Sequence, residues 1–224
     1  MVDLSPQPFT TQQQKLVNVN WSDIAGGTGH ITFYGGEVAN GEYILSRNTF
    51  YSNSIQTKEA QALNTNTFEK VIDIDFDTPI LNLSQTIKGT GYFSCPFGWI
   101  QTSATSETME VYIIVKVRKW DGSSETEISN GQSKTLSKAT SSVDKFTGNI
   151  TAAVEIDKTY FAKGETIRIT YELWSRHSLA AIYQGQEWFI GHDPKSRIDD
   201  DILTSDFDTG DNTSLELNIP FDID

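Results

Sequence analysis

Between Phe68 and Asp77 the chain alternates strictly, with Ile72, Ile74 and Phe76 separated by Asp73, Asp75 and Asp77, before Pro79 closes the run. Successive side chains of an extended strand point to opposite faces, so this pattern folds as a half-buried strand with an acidic outer side. The same period returns between Met109 and Trp120. There Val111, Ile113, Val115 and Val117 share one face, and Tyr112, Ile114, Lys116 and Arg118 share the other. It returns again where Ile167, Ile169, Tyr171 and Leu173 alternate after the corner Lys163-Gly164-Glu165. Asp121-Gly122-Ser123-Ser124 is hairpin chemistry, because Asp and Gly accept the positive φ of a tight turn, and Glu125 to Leu136 is the expected return strand. No stretch of helical period competes with this reading.

Further strands are expected at His30 to Tyr34, where Gly35-Gly36 ends the run, and at Thr86 to Cys95, Phe146 to Ile156, Glu187 to Ile190 and Ser214 to Phe221. Residues 41 to 66 read as a loop-rich insertion, and Ser137 to Asp144 as a loop. About nine or ten strands separated by Gly, Ser and Asp turns predict an all-β fold, an antiparallel β-sandwich of jelly-roll-like form. The domain organisation expected is a single sandwich over residues 21–224. It is preceded by an extended N-terminal arm over residues 1–20, whose Pro, Gln and Thr content cannot bury itself.

With 224 residues, the chain can bury roughly 70% of its unfolded surface, enough for a sizeable core. Cys95 is the one cysteine, so no intrachain disulfide supports the fold, and its apolar surroundings from Gly91 to Ile100 predict a buried thiol. Asp and Glu number 30 against 17 Lys and Arg, a formal charge of −13. That balance excludes a nucleic-acid groove and an anionic membrane surface, both of which need clustered cations. The N-terminus shows no cationic start followed by an apolar stretch, and no run of 18 apolar residues occurs, so neither a secretion signal nor a membrane span is expected.

The three histidines, His30, His177 and His192, lack metal-site spacing, and no serine sits in a nucleophile elbow. The segment His192-Asp193-Pro194-Lys195-Ser196-Arg197 reads as a turn, and Gly26-Gly27-Thr28-Gly29 lacks the Lys-Ser/Thr of a phosphate loop. No catalytic set emerges and the chain is expected not to be an enzyme. No cofactor is expected beyond a possible Ca²⁺, for which Asp199, Asp201, Asp206, Asp208 and Asp211 offer hard oxygens in a flexible loop, although the spacing fails the EF-hand pattern. Trp174, Tyr183, Trp188 and Phe189 flank the segment from Ser175 to Gln186 and form a candidate ligand or interface set. Their faces suit a glycan, with core or subunit contact as the competing use. The sequons at Asn20, Asn82, Asn149 and Asn212 are given no role.

Several segments together resemble virion structural proteins of tailed viruses. They are the polar arm leading into Asn20-Trp21-Ser22-Asp23-Ile24-Ala25-Gly26-Gly27-Thr28-Gly29, the strand start Phe161-Ala162-Lys163-Gly164-Glu165, the turn Gly191-His192-Asp193-Pro194, and Leu215 to Phe221. The resemblance implies a non-enzymatic virion subunit, capsid-decorating or tail-associated. Such a subunit forms homo-oligomers and docks on other virion proteins through its sheet faces and arm. A carbohydrate- or surface-binding module of lectin type is the alternative expectation.

Overall fold

The computed structural model describes residues 28–61, 67–101, 107–140, 144–177, 186–199 and 203–222. The expected arm over residues 1–20 lies outside them. The described residues form twelve strands: β1 (Thr28–Glu37), β2 (Tyr43–Ser46), β3 (Gln56–Gln61), β4 (Glu69–Asp77), β5 (Gln85–Gln101), β6 (Glu107–Trp120), β7 (Glu125–Gln132), β8 (Leu136–Thr140), β9 (Asp144–Phe161), β10 (Thr166–His177), β11 (Gln186–Gly191) and β12 (Leu215–Asp222). They hydrogen-bond in the order β3-β11-β5-β12-β1-β2-β4-β10-β6-β7, with β9 also on β5 and β8 also on β6. The all-β class is as expected. The purely antiparallel arrangement is not, because β2 meets β4 in parallel at Ile44 and Asp77 and makes the sheet mixed.

The strand order turns back on itself. The face bearing Ile167, Ile169, Tyr171 and Leu173 of β10, with Val111, Ile113, Val115 and Val117 of β6, shares one core with Phe93, Cys95, Phe97 and Trp99 of β5 and Leu215, Leu217 and Ile219 of β12. Tyr171 Oη donates to the Ser94 carbonyl of β5 at 3.4 Å, tying the two layers through the core. Cys95 is fully buried and its thiol is pushed far up by desolvation, as its apolar neighbours predict.

Charges hold the outer face of β4, β10 and β6. Arg168 clasps Asp77 with two bonds of 2.7 Å and reaches Glu125 at 2.9 Å, and the Asp77 bond holds its guanidinium charged. Glu172 accepts from Lys116 Nζ at 2.8 Å and Trp174 Nε1 at 3.0 Å, with Lys70 at 3.3 Å. Burial alone raises the Glu172 carboxyl, but those partners together hold it below the usual carboxylate range.

Three local expectations are corrected. Gly35 and Gly36 do not end β1, which runs on to Glu37. A Cβ at Gly35 would lie 2.8 Å from Leu215 Cδ2 and one at Gly36 2.7 Å from Phe50 Cζ, so these glycines admit close packing within the strand. The supposed insertion over residues 41–66 contains β2 and β3. β3 is an edge strand with a polar sequence, and pairing with β11 rather than hydrophobic alternation defines it. The supposed loop from Ser137 contains most of β8, a five-residue strand on β6.

Gly131 of β7 marks another close approach, since a Cβ there would sit 2.4 Å from the Ala153 carbonyl oxygen of β9. The Gly131→Ala variant is expected to lose about 1–3 kcal/mol, because a backbone oxygen has little room to yield. Urea unfolding reads the loss, and an unchanged midpoint contradicts the close β7 to β9 contact.

Candidate functional site

A groove of about 490 Å³ opens at one end of the sandwich, within the size range of small-molecule sites. Phe33 of β1, Ile167 of β10 and Phe221 of β12 supply its buried apolar floor, and each is there because strand alternation turns it inward at the end of the core. Phe33 and Phe221 lie with ring centroids 6.4 Å apart. The segment from Thr78 to Leu83 forms one wall.

Pro79 ends β4, after which backbone bonds fix the wall: Thr78 N donates to Ile167 O at 3.0 Å, Leu81 N to Glu165 O at 2.9 Å, and Gly164 N to Leu81 O at 2.9 Å. Ile167 N donates to Thr78 Oγ1 at 3.1 Å, which occupies that hydroxyl. Ile80 and Leu83 are left 66% and 71% exposed at the rim, where apolar side chains gain nothing from water. Arg47, just past β2, places its guanidinium 5.8 Å over the Phe33 ring. Ser46, Asn82 and Gln85 add hydrogen-bonding groups. The arrangement combines an apolar floor, polar sides and one cation.

A second polar constellation lies at the end of β11. Tyr43 Oη and Thr57 Oγ1 are 2.8 Å apart, and Thr57 Oγ1 is 3.0 Å from His192 Nε2. A hydroxyl beside an imidazole is the start of a nucleophile and base pair. The surroundings do not complete it. His192 is fully buried, desolvation pushes it down to about 4, and its Nδ1 meets no acid. The adjacent Asp193 is committed to Arg197, with Nε at 3.0 Å and Nη2 at 3.2 Å, while Arg197 Nη2 also donates to Ser52 O at 2.5 Å. Ser196 takes φ 50°, a left-handed conformation unfavourable to a side chain. Its Oγ donates to Asn212 Oδ1 at 2.8 Å. This cluster fastens the turn from His192 to Arg197 against β2 and β3, as the turn reading of that segment expects.

The aspartates proposed for Ca²⁺ do not converge among the described residues, which hold no group of three metal-ligating side chains. Asp206 takes Gln56 Nε2 at 2.5 Å and Lys58 at 3.2 Å, Asp208 pairs with Lys145 at 2.5 Å, and Asp211 accepts from the Asp208 N–H at 2.8 Å. Asp199 is exposed, and Asp201 lies outside the described residues.

The aromatic set also separates. Trp174 lies on the outer face of β10, stacked on Tyr112 at 6.1 Å, whereas Trp188 is fully buried in the core. Phe189, on the opposite face of β11, packs edge-on against Phe207 at 4.9 Å. Tyr183 lies outside the described residues. The groove residues escape a linear reading because they come from five separate segments. The one local signal was Pro79-Ile80-Leu81-Asn82-Leu83, apolar residues in a turn with no strand period.

No family model and no curated protein matches the sequence. Among solved structures, the chain is similar to an aminopeptidase from the marine sediment archaeon Thaumarchaeota archaeon, over 96% of this chain and 40% of that one, with TM-score 0.50 and 8% identity. It also aligns with an α-amino acid ester hydrolase over 86% of this chain and 36% of that one (TM-score 0.49, 10% identity). A CocE/NonD family hydrolase from Staphylococcus aureus aligns over 87% and 37% (TM-score 0.46, 11% identity). The chain thus spans about 40% or less of the length of these proteins. The likeness in fold to the archaeal aminopeptidase corrects two expectations, the non-enzymatic virion subunit with its lectin-like alternative and the absence of enzymatic character.

The depressed His192 makes stability depend on pH. In the unfolded chain the ring takes a proton near 6.5, but in the folded protein only near 4. Between these values the unfolded state binds more protons, so stability is full above about pH 6.5 and falls by about 3 kcal/mol as pH drops to about 4. Urea midpoints across that window are expected to decline steeply in the native protein and less so in His192→Gln. Parallel declines contradict the burial of a neutral His192.

Proposed function

We propose that the chain is the β-sandwich part of an ester or peptide hydrolase and that its groove holds the apolar portion of the substrate. The groove carries the reading: a ligand-sized concavity with Phe33, Ile167 and Phe221 on its floor and exposed Ile80 and Leu83 at its mouth. Burying an apolar substituent there releases water from both surfaces, at about 25 cal/mol per Å². The likeness in fold to the archaeal aminopeptidase supports the assignment. In this reading the bond-breaking groups lie outside the described residues, because His192, the base beside Thr57, is fully buried and meets no acid. The β-sandwich then contributes recognition, holding the substrate so that its reacting bond is presented to those groups.

Calorimetric titration with N-acetyl-alanine, N-acetyl-valine, N-acetyl-leucine and N-acetyl-phenylalanine tests it. Affinity is expected to rise by roughly fourfold per added methylene, and Leu83→Ser, at an exposed position, is expected to flatten the series. Affinity that ignores side-chain size, with no cleavage by the full protein of peptides ending in these residues, overturns the reading.

A further inference from the structure

The groove differs in charge from the rest of the molecule. The chain carries 13 more acids than bases, yet the residues lining this groove include no carboxylate, and their one charge is Arg47. The neighbouring pattern sharpens the contrast. Arg118, Arg168, Arg176 and Arg197 each hold a carboxylate of their own chain, whereas Arg47 makes no ion pair among the described residues. A cation that meets no carboxylate among the described residues, beside an apolar floor, can receive an anion from elsewhere.

We infer that the groove recognises a carboxylate-bearing apolar molecule, such as an N-acyl amino acid or the C-terminal residue of a peptide, with Arg47 receiving the carboxylate and the floor receiving the side chain. This inference rests on the groove being the substrate site. A guanidinium over an aromatic face keeps its N–H edge free, and that planar edge matches the two oxygens of a carboxylate. A single guanidinium suits a monoanion, which one planar pair of N–H groups can receive in full. Ser46, Asn82 and Gln85 are neutral hydrogen-bonding groups suited to an acyl amide without adding charge. Arg47 acts here as a specificity-determining residue, and its exposed position makes its replacement harmless to folding.

The test compares N-acetyl-phenylalanine with N-acetyl-phenylalaninamide, which keeps the side chain and the acyl amide and removes the charge. The native protein is expected to bind the acid about tenfold or more tightly than the amide, the size of a charge-assisted hydrogen-bond pair. Arg47→Gln is expected to abolish that preference while leaving the amide's affinity unchanged, and Arg47→Lys to keep part of it. Equal binding of acid and amide, or a preference that survives Arg47→Gln, overturns the carboxylate assignment and leaves the apolar groove standing. Binding of neither compound overturns the groove itself.

Discussion

β10 lies between β4 and β6 and lays Ile167, Ile169, Tyr171 and Leu173, all fully buried, toward the inner face of β5, and the remaining architecture follows from that contact. Four strictly alternating apolar side chains leave the strand one way to face. Once it does, Arg168, Thr170 and Glu172 must point outward, where Asp77, Asp75, Lys70 and Lys116 receive them. The inner layer is held by desolvation and the outer by charge pairing. Burial contributes more to stability than the ion pairs do, because much of each pair's attraction goes to offset the desolvation of its own charges. With a single buried cysteine and no disulfide, packing of this kind is what stabilises the described chain.

The ends of that core decide where function can reside. At one end the inner faces of β1, β10 and β12 run out of partners, and the wall from Thr78 to Leu83 leaves a gap over Phe33, Ile167 and Phe221. Near the end of β11, His192 and Asp193 are buried too, but each is spent on a neighbour, Thr57 in one case and Arg197 in the other. Both regions contain polar groups beside aromatic rings, but the second ties Asp193 to Arg197, whereas no carboxylate lines the first.

Much of the fold was legible in the sequence. The alternation of β4, β6 and β10, the Asp121-Gly122 hairpin with its Gly122 φ of 95°, and the buried Cys95 all follow from local pattern and turn chemistry. What escaped lacked a period. β3 is a polar edge strand recognised only by its partner β11, β8 is too short to alternate, and Gly35-Gly36 reads as a stop unless the approach of Leu215 and Phe50 is known. The site was scarcely legible, for a related reason: Phe33, Arg47, Ile80, Ile167 and Phe221 are distant in the chain and meet only through the strand order. The acidic and aromatic sets stand out because they cluster in sequence, but folding sends Trp174, Trp188 and Phe189 to three different places and gives Asp206 and Asp208 to lysines.

One apolar core joins the β5–β12 layer to the β6–β10 layer, and the groove is its open end. Native-state hydrogen exchange measured against urea tests that union most directly. If the core is shared, the slowest amides of β5, β6, β10 and β12 exchange through one common opening, with the same free energy and the same dependence on urea. Two sets of amides, β5 with β12 and β6 with β10, opening at different urea concentrations contradict it.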